Sequence, residues 1–113
     1  MSKRTPELLL EDILEAGNKI LDYTHGLSFE DFSGDVKTVD AVIRNFEIVG
    51  EASNLLPDEI KERYPAIDWY RIKGFRNRIV HDYFGVDLRI VWKIINDQIP
   101  DLTSKINIIL KDL

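Results

Sequence analysis

The sequence contains no cysteine, one methionine and only two histidines, His25 and His81, in 113 residues. Without thiols it forms no disulfide, runs no thiol chemistry and offers no thiolate to zinc, and two imidazoles make a poor start for a structural zinc site. Long apolar runs are missing too. The opening, MSKRTPELLLEDILEAG, has three consecutive leucines before Glu11 and Asp12, too few for the apolar region of a signal peptide. No stretch approaches the ~18 uninterrupted apolar residues of a membrane helix, so a soluble, cytoplasmic protein is expected. Alternating strand patterns, internal repeats, linkers and low-complexity segments are also absent.

What remains is helix. A chain of 113 residues, 44% of them hydrophobic, fits one domain spanning 1–113 and can bury roughly 65% of its unfolded surface. Thr5-Pro6-Glu7 reads as a helix start, and Leu9, Ile13, Ala16, Ile20 and Tyr23 then recur at steps of four and three up to His25 and Gly26. A short turn or helix follows from Ser28 to Phe32. Asp35 is placed to cap a second long helix bearing Val39, Val42, Phe46, Val49, Ser53 and Leu56, which must stop before Pro57. DEIKERY makes two further turns between Pro57 and Pro65. Asp68 caps a third long helix with Trp69, Ile72, Phe75 and Ile79 on its apolar stripe, ended by Gly85. Asp87 starts a fourth, with Leu88, Val91, Trp92, Ile95 and Ile99, and Pro100 must kink or restart it. Leu102, Ile106, Ile109 and Leu113 carry the phase to the end. The expected fold is all-α, an up-and-down bundle of four main helices with one or two short ones.

Charge is unevenly spread. The net value of -5 argues against a general nucleic-acid coat protein, whose affinity comes mainly from neutralising phosphates. From Lys61 to Lys93, however, eight cations face four anions, a local +4, while the rest carries seven cations and sixteen anions, or -9. A basic segment on an acidic body suits one confined anionic ligand, or is simply a solvated helix face.

The densest polar stretch lies in that segment: Arg76-Asn77-Arg78-Ile79-Val80-His81-Asp82-Tyr83. At about 100° per residue, Arg76 and Tyr83 fall within roughly 20° of each other, and Asn77 and His81 within about 40°. Such a set suits attack on a phosphodiester. The His81 imidazole can take a proton from a ribose 2'-hydroxyl or give one to the leaving oxygen. The Arg76 guanidinium can hold the phosphate as negative charge accumulates, without a metal or other cofactor. Tyr83 could orient the phosphate or the imidazole, and Asn77 could fix the ring's tautomer. Because this route consumes the 2'-hydroxyl, RNA is cut and DNA is spared. One histidine cannot serve comfortably as both acid and base. A two-fold dimer apposing the third helices would bring two copies of Arg76 and His81 over one phosphate.

GFRNRIVHDYFGVD, with NFEIVGEA upstream and VWKII downstream, resembles the HepT-like branch of the HEPN superfamily along nearly the whole chain. The family motif of arginine, four residues, histidine, one residue and tyrosine corresponds to Arg76, His81 and Tyr83. The resemblance implies a homodimeric, metal-independent RNase toxin with its active site shared across the dimer. It also implies a minimal nucleotidyltransferase antitoxin as partner, which silences the toxin by transferring AMP to Tyr83.

Plainer readings stand beside these. His81 at a helix end could be structural, as His25 is expected to be. Arg71, Lys73 and Arg78 are candidates for RNA or partner contacts, or are solvated; Arg78 lies about 200° from Arg76 and cannot share its stripe. Trp69, Trp92, Phe46 and Phe75 are expected in the core, with Phe84 less so. Glu47 and Glu51 on the second helix either pair with neighbours on their own helix or position arginines of the third. Asp82 and Asp87 alone make a weak magnesium site. As a whole, the alternative to a nuclease is a non-catalytic nucleotide-binding or dimerisation module serving a separate nucleotidyltransferase.

Overall fold

Seven helices follow one another in the computed structural model, which describes residues 4–80 and 87–113, with side chains over 4–75 and 87–113. Helix α1 (Pro6–Thr24) begins as its sequence dictates: the Thr5 hydroxyl accepts from the Leu8 amide at 3.2 Å, and Pro6 occupies the first turn. Gly26, with φ of 76°, takes the left-handed conformation that lets the chain turn away. The buried arc of α1 runs from Ala16 through Ile13 to Leu10. Tyr23, expected on that stripe, falls just outside it and is 41% exposed. Thr24 is buried in its place, its hydroxyl donating to the Ile20 carbonyl at 2.8 Å.

Ser28 and Asp31 form a reciprocal cap on the short α2 (Phe29–Ser33), whose Phe32 is buried and stacks on Trp92 at 5.2 Å between centroids. Asp35 then caps α3 (Val36–Leu55), accepting from the Thr38 amide and hydroxyl at 3.3 and 2.8 Å. Val39, Val42, Phe46, Val49 and Ser53 all face inward. Pro57 stops α3 and opens the two-turn α4 (Asp58–Arg63).

Helix α5 (Trp69–Val80) carries the motif segment, and α6 (Leu88–Asp97) starts at Asp87, whose carboxylate accepts from the Arg89 amide at 2.9 Å. The chain breaks at Gln98 and restarts as α7 (Ile99–Asp112) with Pro100 in its first turn, where a missing N–H leaves no bond unmade. Leu113, expected to continue the apolar phase, is instead 50% exposed.

α1 packs against α3 and α7, α3 against α5, and α6 against α7, enclosing one apolar core. The approach of α1 to α7 is close at Gly17, where an added Cβ would lie 2.6 Å from the Thr103 methyl. The all-α bundle is as expected, and among the described residues there is no strand.

Candidate nucleic-acid site along α5

Helix α5 is held firmly at its start. Asp68 caps it, one carboxylate oxygen accepting from the Arg71 amide at 3.0 Å, and the Trp69 indole donates to the Tyr64 carbonyl at 3.1 Å. Lys105 reaches from α7 to the Ala66 carbonyl at 2.9 Å and pins the preceding loop. Ile72 and Phe75 are buried, and the Phe75 ring meets Phe46 of α3 edge-on at 5.7 Å. Arg76 follows Phe75 directly, so its backbone is fixed by the α3 contact one residue earlier. The helix continues through Asn77 and Arg78 to Val80.

Of the residues singled out by their chemistry, α5 therefore brings Arg71, Lys73, Arg76, Asn77 and Arg78 onto one rod of backbone. Arg71 and Lys73 are exposed on opposite flanks of it, with Arg71 3.7 Å from Asp68. The side chains of Arg76, Asn77 and Arg78 lie outside the described residues, as do His81, Asp82, Tyr83, Phe84 and Gly85 altogether. On α3, Glu47 pairs with Arg44 of its own helix at 3.6 Å, and Glu51 is exposed. Phe46 and Phe75 are core residues, while Trp69 and Trp92 are half-buried against the core. His25 caps the end of α1, and Asp87 is committed to the cap of α6. Among the described residues no three His, Cys, Asp or Glu converge as for a metal, and no helix is long and apolar enough to cross a membrane.

Three residues enter the site that the sequence did not single out. Tyr70 projects from α5 and is 88% exposed, the most exposed of the large hydrophobic side chains among the described residues. Gly74, one turn later on the same face, has nothing of the described residues outside its own stretch of helix within 4 Å of the place where a Cβ would stand. Both line a hollow of about 500 Å³ together with Arg71 and Phe75 of α5, Ile94 of α6 and Gln98 at the α6–α7 break. The signal for Tyr70 was available: an aromatic standing off the apolar stripe, about 160° from Ile72 around the helix. Gln98 is brought here only by the fold.

Two departures in ionisation lie away from α5. The hydroxyl and amide of Thr38 hold the Asp35 carboxyl below its ordinary value, and the Tyr64 phenol, donating to Asp112 at 2.8 Å, is raised.

The profile of HepT-like ribonucleases matches residues 13–109. A protein of Thermococcus cleftensis named "Probable ribonuclease HepT" is 45% identical over 103 residues, covering 91% of this chain and 94% of its own. A Methanocaldococcus jannaschii protein, provisionally named an RNase, is 36% identical across 100% of this chain and 93% of its own. A similarly named protein of Caldanaerobacter subterraneus is 39% identical across 96% of each chain. No solved structure matches. With the match running from the middle of α1 to the last turn of α7 and enclosing the Arg76–Tyr83 segment, the chain belongs to the HepT-like ribonuclease family.

Proposed function

We propose that this chain, acting as one domain, is a metal-independent RNA endonuclease working in the cytoplasm as the toxin of a toxin-antitoxin pair. The observation that carries the reading is the family match on both sides of the Arg76–Tyr83 segment, over residues 13–109. The anchoring of α5 through Phe75 supports it, because an electrostatic clamp is effective only when its donor is held before the substrate arrives.

The 2'-oxygen of a ribose attacks the adjacent phosphorus while an imidazole removes its proton. The bond to the 5'-oxygen breaks, and that oxygen takes a proton as it leaves. The products are a 2',3'-cyclic phosphate and a 5'-hydroxyl. His81 is the general acid or base, Arg76 neutralises the charge on the non-bridging oxygens, and Asn77 and Tyr83 orient the reacting groups. Both proton transfers are served when two protomers place their Arg76 and His81 residues over one phosphate, so the active unit is a homodimer. Four cations on α5, Arg71, Lys73, Arg76 and Arg78, repel across such a dimer until an anion enters. RNA is that anion.

Silencing follows from the same chemistry. A minimal nucleotidyltransferase partner transfers AMP from ATP to the Tyr83 oxygen, releasing pyrophosphate, and the adduct sets a phosphate and a base beside Arg76 and His81. The test is incubation of the purified chain with RNA in EDTA. Fragments ending in cyclic phosphate are expected; binding without cleavage would instead establish a non-catalytic nucleotide-binding module.

A further inference from the structure

Helix α5 contains a glycine with no internal reason to be there. A glycine inside a helix costs roughly 0.5–1 kcal/mol relative to alanine, and such residues usually admit a neighbouring helix. Gly17 does so, since a Cβ there would run into Thr103. Gly74 does not: outside its own stretch of helix, no atom of the described residues comes within 4 Å of where a Cβ would stand. What it leaves is bare helix backbone at the wall of a hollow. A tyrosine 88% exposed one turn earlier is the second anomaly, because its ring contributes little to the core from that position. About 40° separates the two positions around the helix, so the two irregularities share one face.

The walls of the hollow specify an occupant. Phe75 and Ile94 give it an apolar floor, the Gly74 backbone a flat side and Tyr70 an exposed ring at its mouth. The Gln98 side chain, half-buried, makes no hydrogen bond among the described residues and offers both a donor and an acceptor. Arg71 and Asp68, 3.7 Å apart, add one donor group and one acceptor group at the end. Flat apolar surfaces with a few polar groups at the edge suit a planar heterocycle, and a volume of about 500 Å³ accepts one with its sugar.

A polynucleotide leaving this hollow is drawn more strongly in one direction. Beyond Arg71 and Gln98 a smaller cavity of about 190 Å³ sets Asp68, Asp97 and Asp101 against Arg71 and Lys105, with Lys105 and Asp101 paired at 2.8 Å, and so has no excess of positive charge to hold a phosphodiester. Along α5 the charge is reversed, with Lys73, Arg76 and Arg78 ahead. The Asn77 position lies about 20° from Tyr70 around the helix and about 10 Å further on, a span a neighbouring nucleotide of the same strand can cover.

We infer that the hollow between α5 and the α6–α7 break is a base-binding subsite for single-stranded RNA. Tyr70 stacks on an unpaired base next to the scissile phosphate, Gly74 lets the base lie against the helix, and Gln98 reads its edge. The inference rests on the RNA-cleaving reading above for its substrate class and adds to it a source of sequence preference. Tyr70, Gly74 and Gln98 touch the substrate away from the reacting atoms, so their loss is felt in KM rather than kcat.

Binding and cleavage are measured separately on the full chain. Binding uses a fluorescein-labelled 12-nucleotide 2'-O-methyl RNA of mixed sequence, which has no free nucleophile, by fluorescence anisotropy. Cleavage uses the unmodified oligonucleotide in EDTA. Tyr70→Ala and Gly74→Leu should each weaken binding and raise KM about tenfold with kcat nearly unchanged, consistent with the ~1–3 kcal/mol lost with a base stack. Tyr70→Phe should retain most of the affinity, and Gln98→Ala should alter the preference among homopolymers of A, C, G and U. Folding of each variant is checked by its melting curve. Variants that bind and cut like the parent overturn the subsite alone, as does a parent that cuts RNA but whose binding ignores all three positions. A parent that binds with the expected Tyr70 and Gly74 dependence yet cuts nothing supports the subsite and refutes the nuclease. If Gly74→Leu converts a dimer to monomers in sedimentation, the hollow belongs to a second copy and the inference falls.

Discussion

Gly17 and Gly74 both stand inside helices, and one substitution at each should have opposite effects on stability. Alanine is a better helix former than glycine by about 1 kcal/mol. At Gly74 nothing among the described residues opposes that gain, because outside its own stretch of helix none of their atoms lies within 4 Å of the new methyl; Gly74→Ala should stabilise the fold by about 0.5–1 kcal/mol. At Gly17 the new carbon would stand 2.6 Å from the Thr103 methyl carbon, about 1 Å inside the optimum for two carbons. Thr103 cannot turn aside freely, since its hydroxyl donates to the Pro100 carbonyl at 3.0 Å. Overpacking typically costs about 1–3 kcal/mol, and sacrificing the hydrogen bond adds about 1 kcal/mol. Against the propensity gain, Gly17→Ala should be net destabilising by about 1–3 kcal/mol. The two variants should then differ by about 10 °C in melting temperature for a domain of this size. Far-UV circular dichroism melts at equal protein concentration read this directly, since any self-association makes apparent stability depend on concentration. Shifts in the same direction, or a stabilised Gly17→Ala, would refute the packing of α1 on α7 or the openness beside Gly74.

Three other outcomes are expected. Tyr83→Phe should abolish modification by the nucleotidyltransferase; a ~329 Da mass increase in that variant, the size AMP addition requires, would exclude Tyr83 as the acceptor. Arg76→Lys should lower kcat more than it raises KM, because an ammonium keeps the charge and loses the paired donors; unchanged kcat would remove Arg76 from the transition state. Asp35 is held below its ordinary pKa by the Thr38 hydroxyl and amide. Its contribution is therefore full above the ordinary carboxylate range and lost as pH falls through the folded value. Asp35→Asn, which keeps an N-cap without a titrating group, should flatten the fall of melting temperature between pH 5 and pH 3 on that account; an unaltered slope would contradict it.

Much of the fold was written locally. Thr5, Ser28, Asp35, Asp68 and Asp87 all stand where helices begin, and each is seen accepting from the amide two or three residues on, with Asp35 also taking a hydroxyl. Pro57 and Pro100 punctuate because a missing N–H acts on its own turn. The choice of Thr24 over Tyr23 for the core was not legible, since it depends on how far the buried arc of α1 turns toward its neighbours. Leu113 likewise continues the spacing of α7 past the end of what it packs against. The family was legible through the types and spacing of Arg76, His81 and Tyr83, and the match over residues 13–109 bears that out. The hollow was not, because Gln98 meets Gly74 only after α6 has folded back beside α5, and no spacing rule joins residues that far apart.

The role of His81 decides the whole mechanism. Single-turnover cleavage of RNA in EDTA should fall 10²- to 10⁴-fold in His81→Ala, the usual worth of a positioned acid or base, with the melting curve and RNA affinity close to those of the parent. A folded, RNA-binding His81→Ala that cuts at the parent's rate would contradict it.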